Sequence, residues 1–353
     1  MLDVRDAVVG SLLPGLFPSK LIAALRASAD REVSLESLLR TINAAAPASA
    51  LRATAERLLA RASVLGVEAV GFGDARYPTL LAEISDPPAV LWVRGKVAAL
   101  ERPSVAIVGS RAASPYALEV AERLSAELAS RGVTAVSGLA RGADSAAHRG
   151  ALAAGGETVA VLGSGPDVIY PPEHLSLASS IMANGAIVTE FAPGTPPRPF
   201  HFPRRNRVIS GLSLAVVVVE ASERSGSLIT ADCALEQGRE VMAVPGNVLT
   251  GRNRGSHGLL RAGAKIVETA DDILEELGLT VTSEPHRGRS PATRDSLLSS
   301  MLPGETYDLD ALEARSGLTS SKLLPRLLEL ELKGSIERVG GGRFLRAGKT
   351  VLP

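Results

Sequence analysis

Apolar residues recur every three or four positions in LIAALRA, LESLLRTI and LRATAERLLARASVLG, and Pro14, Pro18 and Pro47 interrupt the runs. That spacing predicts short amphipathic helices over residues 1–70. The pattern changes in YPTLLAEISDPPAVLWVRG, where a double proline leads into a short strand. Leu80, Leu81, Ile84 and Trp92 need cover there, so this connector packs against something. From Val105 the period changes again. VAIVG, VTAVSG, TVAVLG, AIVTE, LAVVVVE, EVMAVPG and AKIVE are short, continuous and apolar, as strands covered on both faces are. Helical patterns separate them. Ser114 and Pro115 offer an N-cap and a first helical residue, and Gly132, Gly185 and Gly238 suit positions just past helix ends.

Alternation of this kind predicts the α/β class, with a Rossmann-like, doubly wound, mainly parallel sheet over residues 71–280. Ligands of such sheets bind outside the carboxyl ends of the strands. The polar stretch TSEPHRGRSPATRDS reads as a linker, at 281–292. Beyond it, LLSSML, LDALEARSG and TSSKLLPRLLELELKG give three helical segments, and SIERVGGGRFLRA gives two strands around a glycine turn. Three small helices and a hairpin match a winged helix-turn-helix over 293–353, with Thr319 or Ser320 capping its third helix.

The length of 353 residues allows two or three domains. Lys and Arg total 38, as do Asp and Glu, so no global field steers a polyanion to this chain. A nucleic-acid reading therefore needs a local patch. The basic residues are 6 lysines and 32 arginines, which by itself carries little. One cysteine excludes an internal disulfide framework and a Cys-rich zinc site. Cys233 lies in the amphipathic stretch TADCALEQ and reads as a small packed hydrophobe. His148, His174, His201, His257 and His286 show no ligand spacing, so no metal or cofactor is expected. The N-terminus lacks a basic start and no run of 18 apolar residues exists, which reads as cytoplasmic and without membrane contact.

The strand ends share one composition. Gly109-Ser110-Arg111 follows the first strand of the sheet; Gly138, Arg141 and Gly142 follow the next, with Asp144 as an expected N-cap. Gly163-Ser164-Gly165 follows the third, and Ser225-Gly226-Ser227 with Thr230 follows LAVVVVE. Small residues let backbone N–H groups approach a ligand, and helix N-termini favour an anion there. Several such loops on one edge imply a phosphate-binding crevice. The first turn, G-S-R-A-A-S, is not the dinucleotide fingerprint, and the P-loop pattern is absent.

FHFPRRNRVISGL gathers Arg204, Arg205 and Arg207 around Asn206, with no acidic residue between Glu190 and Glu220. With Pro203 as the helix start, Arg204 and Arg207 share a face and Arg205 points elsewhere. Such a turn complements phosphate through the dipole and charge-assisted hydrogen bonds, while Phe200 and Phe202 are placed to stack on bases. The bland alternative has the phenylalanines in the core and the arginines paired with distant carboxylates. Pattern alone leaves both readings open.

VAIVGSR, SGLARGADSAAH, VLGSG with YPPEH, FPRRNRVISGLS, SGSLITA and EQGREVMAVPG occur in one order. Together they resemble the DNA-processing protein A family (DprA, also called Smf), over about residues 77–277. The N-terminal helices look like that family's sterile-alpha-motif-like domain and the C-terminus like its winged helix. The resemblance implies a non-enzymatic protein of natural transformation. It would bind single-stranded DNA, dimerise, and load the RecA recombinase onto incoming strands, including strands coated by single-strand-binding protein. Arg111 and the arginines of FPRRNR become phosphate contacts, the 138–142 and 225–227 loops line the same pocket, and Phe202 or Phe200 stacks a base. Members often carry a lysine in this groove; Arg198, Arg204, Arg205 and Arg207 are the candidates to replace it. Leu259 and Leu260 fall where the family dimerises, and core packing explains them equally well.

Two rivals stand beside this. SGSLITADCALEQ is distantly similar to the P-G-G-x-G-T-x-x-E loop of nucleotide phosphoribohydrolases, but Ala231, Asp232 and Cys233 follow Thr230 and the glutamate is missing. A winged-helix regulator is the other. Its third helix is rich in leucine, Pro325 interrupts it, and Glu329 and Glu331 repel phosphate, so the module reads as a protein-contact or structural domain.

Overall fold

The computed structural model describes residues 4–13, 48–279, 296–302 and 305–346. The helical patterns at 21–27 and 35–42 and the linker at 281–292 lie outside the described residues. The chain divides into two compact units. The larger holds a sheet of nine strands: β1 (Glu68–Gly71), β2 (Val90–Gly95), β3 (Ser104–Val108), β4 (Thr134–Ser137), β5 (Thr158–Val161), β6 (Ala186–Thr189), β7 (Ala215–Val218), β8 (Glu240–Ala243) and β9 (Lys265–Ile266). Their order is β1-β2-β6-β5-β4-β3-β7-β8-β9. Pairing is parallel from β6 to β9 along that order, while β1–β2 and β2–β6 are antiparallel. All seven expected strands form. β1 was not foreseen: EAVG follows a helix almost without a break, and its four residues carry too little periodicity to register.

Helices α1 (Val4–Ser11) and α2 (Ala48–Val64) precede β1, and the short α3 (Thr79–Ala82) precedes β2. Ala7, Val8, Leu51, Ala55 and Ala62 of α1 and α2 share a core with Val90 and Trp92 of β2. Trp92 is fully buried, which accounts for the packed character of the connector. The remaining helices cover the parallel strands: α4 (Pro115–Ser130), α5 (Ala143–Ala153), α6 (Leu175–Asn184), α7 (His201–Gly211), α8 (Gly226–Glu236), α9 (Arg254–Arg261) and α10 (Ala270–Glu276).

Ser114 caps α4 as expected, its Oγ accepting from Ala117 N at 3.2 Å. Gly132 and Gly238 follow helix ends in left-handed conformation. Gly185 does not. It is extended (φ −160°), and a Cβ there would lie 2.1 Å from Thr158 O, so close approach of α6 to β5 selects glycine. Pro203 is the third residue of α7 rather than the first, still within the turn whose N–H groups have no intrahelical partner.

The buried serines of β3 and β4 are satisfied locally. Ser104 Oγ donates to Leu212 O and Ser137 Oγ to Ile107 O, each at 2.6 Å. His148 is fully buried. Thr158 Oγ1 donates to Ala135 O, so His148 Nδ1 must donate to Thr158 Oγ1, leaving Nε2 as an unpartnered acceptor. Burial accordingly pushes its pKa down to about 3.

The smaller unit contains α11 (Ser296–Ser300), β10 (Thr306–Tyr307), α12 (Leu309–Ser316), α13 (Ser320–Leu332), β11 (Ile336–Val339) and β12 (Arg343–Arg346), with sheet order β10-β12-β11. Leu312, Leu323, Leu327, Leu330, Ile336 and Phe344 are among the residues of its own core. Thr319 is the N-cap of α13 without a capping hydrogen bond from its side chain. The outer face of α13 exposes Leu324, Leu328 and Leu332, while Arg326 and Lys333 both pair with Glu329.

Candidate nucleic-acid interface

Strand order reverses between β3 and β7, the neighbours from which the sheet is wound in opposite directions. Chains leaving their carboxyl ends diverge and open a crevice, the usual ligand position in such sheets. A cleft of about 620 Å³ lies there. Of the expected site residues, Gly109, Ser110, Arg111, Phe202, Arg205, Asn206, Ser225, Gly226, Ser227 and Thr230 line it. Gly138, Arg141, Gly142, Gly163, Phe200, Arg204 and Arg207 do not.

The glycines serve mainly to bring backbone segments together. Ser110 N donates to Glu220 O at 2.7 Å, joining the β3 and β7 loops. A Cβ on Gly142 (φ +76°) would lie 2.2 Å from Ser110 O, so glycine lets the β4 loop close against the β3 loop. A Cβ on Gly138 would fall 1.6 Å from Arg205 Nη1: its missing side chain is the space the guanidinium occupies. The Gly138 N–H is also committed. Asp144 Oδ2 accepts from Gly138 N at 3.1 Å and Ala140 N at 3.4 Å. Asp144 is therefore not the N-cap expected of it. The cap position is Gly142, and Asp144 sits inside α5, folding the β4 loop back onto the helix. Between those two donors, Leu139 takes a positive φ of 58°, which costs about 1–2 kcal/mol, while its side chain is buried with Leu162, Ile181 and Ile187.

Helix α7 presents its arginines in opposite directions. Arg204 and Arg207 share one face, as expected, but they do have a counter-charge. Glu190 Oε2 accepts from Arg204 Nη2 at 2.9 Å and Arg207 Nη2 at 2.6 Å. Arg207 also donates to Asp86 O and lies 3.5 Å from the Asp86 carboxylate. Its side chain is 12% exposed and that of Glu190 5%, so this pair is enclosed. For these two arginines the pairing with distant carboxylates holds.

Arg205 faces the cleft and is 4% exposed. Among the described residues no hydrogen-bond partner reaches its Nε or Nη1. Burial lowers its pKa to about 10, Asp144 opposing and Arg111 reinforcing the shift. Burial likewise raises the Asp144 carboxyl, against the pull of Arg205. A buried guanidinium with free donors is costly, on the order of several kcal/mol, and an anion in the cleft would remove that cost. At the opposite wall α8 begins. Ser225 caps it, accepting from Ser227 N at 3.4 Å, and the two hydroxyls lie 2.7 Å apart. Asn206 Nδ2 donates to Gly226 O at 3.3 Å, fixing α7 against that turn.

The two phenylalanines differ: Phe202 lines the cleft and Phe200 does not. Phe202 packs against Gly163, where a Cβ would lie 2.9 Å from Cδ1, with Arg111 5.5 Å and Tyr170 5.6 Å from its ring centre. Phe200 is 62% exposed and rests edge-on against His201, which stacks on Phe191 at 4.1 Å. Tyr170 lines the cleft and was missed; its only signal was an aromatic residue in the YPPEH motif. Arg141 pairs with Glu173 in solvent. Cys233 is half-buried, and burial raises its thiol pKa. Leu259 packs against the sheet core and Leu260 is half-buried. Among the described residues no group of His, Cys, Asp and Glu is arranged to hold a metal, and no helix is long and apolar enough to cross a membrane.

The family model for DNA recombination-mediator protein A matches residues 68–278, from β1 through the end of α10. The chain belongs to that family. The cleft lies entirely within the matched span, and a model for the DprA winged helix domain matches residues 282–342. Protein Smf of Escherichia coli K12 is 43% identical over 276 residues, 75% of this chain and 74% of that protein. DNA processing protein DprA of Streptococcus pneumoniae R6 is 45% identical over 203 residues, 58% and 72% respectively. The X-ray structure of DprA from Streptococcus pneumoniae has TM-score 0.68 at 36% identity, covering 78% of this chain and 99% of that one. DNA processing protein A from Helicobacter pylori, solved for its single-stranded DNA binding mode, has TM-score 0.55 at 28% identity, covering 60% and 95%. The Rossmann-like α/β sheet and the C-terminal winged helix are thus those of the DprA family, whose members are DNA-processing recombination mediators.

Proposed function

We propose that this DprA-family protein binds single-stranded DNA in the cleft between β3 and β7 and loads a RecA-type recombinase onto it, in the cytoplasm and without catalysis. The observation that carries the reading is Arg205, enclosed, charged and short of hydrogen-bond acceptors at the cleft wall. Arg111, Asn206 and the α8 turn at Ser225–Ser227 complete an anion site of the size of one nucleotide phosphate with its base. Arg204 and Arg207 act as struts that hold α7, with Glu190 as their counter-ion. Single-stranded DNA binding in the Helicobacter pylori relative supports the ligand class. Against the hydrolase reading, Ala231, Asp232 and Cys233 stand where a catalytic glutamate would be needed. Action on incoming strands in transformation, exchange with single-strand-binding protein, and self-association through the Leu259–Leu260 region belong to the same proposal. So does the division at 70, 281 and 293. The leucine face of α13, with its Arg326 and the Lys333 that follows it both held by Glu329, favours a protein-contact role for the winged helix over duplex reading.

Fluorescence anisotropy of a labelled oligonucleotide, single-stranded against duplex, tests this over a salt series. Single strands are expected to bind far more tightly, with log affinity falling by about 0.7 per neutralised phosphate for each log unit of salt. Equal affinity for duplex would move binding away from this cleft. Faster recombinase filament growth on a strand precoated with single-strand-binding protein is the expected result for loading, and an unchanged rate would remove that part.

A further inference from the structure

One ring of the cleft has no part in holding phosphate. Tyr170 lines the cleft beside Phe202 yet keeps 43% of its surface exposed. Phe202, itself half-buried, is flanked by the Gly163 backbone, the Arg111 guanidinium and Tyr170, whose ring is tilted 44° to it. A ring held in that way supports its neighbours. Phe200 is more exposed, but it is not part of the cleft lining. Tyr170 combines the two properties a stacking platform requires: one side backed by an aromatic pillar and an open surface in the cleft. Tyr170→Phe separates recognition through the ring from recognition through the hydroxyl.

We propose that Tyr170 is a nucleobase-stacking residue: one base of a single strand lies on its ring while the adjoining phosphate sits at Arg111 and Arg205. The inference rests on the single-strand reading of the cleft and deepens it. Stacking needs a base released from its own helix, so Tyr170 adds selectivity against duplex that arginines alone would not supply. It also gives Phe202 a purpose, because the same ring orients both the base platform and Arg111.

The test uses full-length protein, Tyr170→Ala, Tyr170→Leu and Tyr170→Phe, with two probes: an oligothymidylate and an abasic strand of equal length. Tyr170→Ala and Tyr170→Leu are expected to bind oligothymidylate about 5- to 100-fold more weakly. Tyr170→Phe should match the parent, and every salt slope should be unchanged, because no phosphate contact is lost. On the abasic strand the parent and both non-aromatic variants should bind equally. An equal loss on the abasic strand would overturn the proposal, since the effect would then run through the packing of Phe202 and Arg111. Loss in Tyr170→Phe would overturn it too, by assigning the contact to the hydroxyl. Tyr170→Leu keeps an apolar side chain on Phe202, so it decides the matter if Tyr170→Ala fails to fold. If the parent binds oligothymidylate and the variants match it, only this inference falls. If the parent binds no single strand, the reading of the cleft falls with it.

Discussion

The two faces of α7 use the same residue for opposite ends. On the face toward the lead-in segment, Arg207 is enclosed with Glu190 and Asp86. Two residues earlier, on the face toward the cleft, Arg205 is more deeply buried and both its Nε and Nη1 lack acceptors, whereas Arg207 lacks one at Nε alone. A paired, enclosed arginine is part of the fold: its removal strands a carboxylate. An enclosed arginine whose donors lack acceptors weakens the fold and is retained for something that arrives later. The distinction lies in the partners rather than in residue type, exposure or local sequence.

The largest effect expected from this contrast is on stability. Arg207→Ala leaves Glu190 buried without its closest cation, and breaking such a pair from one side costs about 3–5 kcal/mol. For a unit of this size that lowers the melting temperature by roughly 10 °C, measurable by calorimetry. The protein that remains folded should bind single strands with the parental salt slope. A melting temperature within a degree of the parent would mean that Arg207 is not the strut its contacts describe.

Arg205→Met should reverse the balance. Arg205 has two donors without acceptors, and Asp144, its buried counter-charge, keeps the Gly138 and Ala140 N–H groups, so losing the guanidinium costs less stability than in Arg207→Ala, whereas losing a charged hydrogen bond to phosphate weakens binding by about 10- to 100-fold. A melting temperature lowered by less than in Arg207→Ala, together with that loss in anisotropy, is the expected pair of results. Parental affinity in Arg205→Met would erase the difference between the two faces.

How far this contrast could be read beforehand depends on where the partners lie in the chain. The parallel strands were legible because each is a continuous apolar run, and the crevice followed from strand alternation. The 3.6-residue period separated Arg205 from Arg204 and Arg207. What could not be read was the partner set. Asp86 lies more than a hundred residues before Arg207, and only the antiparallel lead-in strands bring its segment alongside α7. The acid-free stretch was real, but Glu190 at its very edge, placed at the end of β6, pairs with two of its arginines. A visible helix start makes Asp144 look like a cap, while the Gly138 and Ala140 N–H groups it holds depend on a left-handed Leu139 that no local pattern announces. Tyr170 had only its residue type to recommend it.

The smallest effect belongs to Arg204, which stands between the two designs. It shares Glu190 with Arg207 but is half exposed, and its guanidinium also lies 5.6 Å from the Phe191 ring centre. A pair open to solvent contributes at most about 1 kcal/mol, and the ring contact adds about 0.5 kcal/mol. Arg204→Ala should therefore lower stability by about 1 kcal/mol, well short of Arg207→Ala. Because Glu190 competes for its charge, removing Arg204 should leave the salt dependence of single-strand binding at the parental slope. A slope shallower by about 0.7 would instead show that a phosphate displaces Glu190, and would move Arg204 from the structural face of α7 to the binding one.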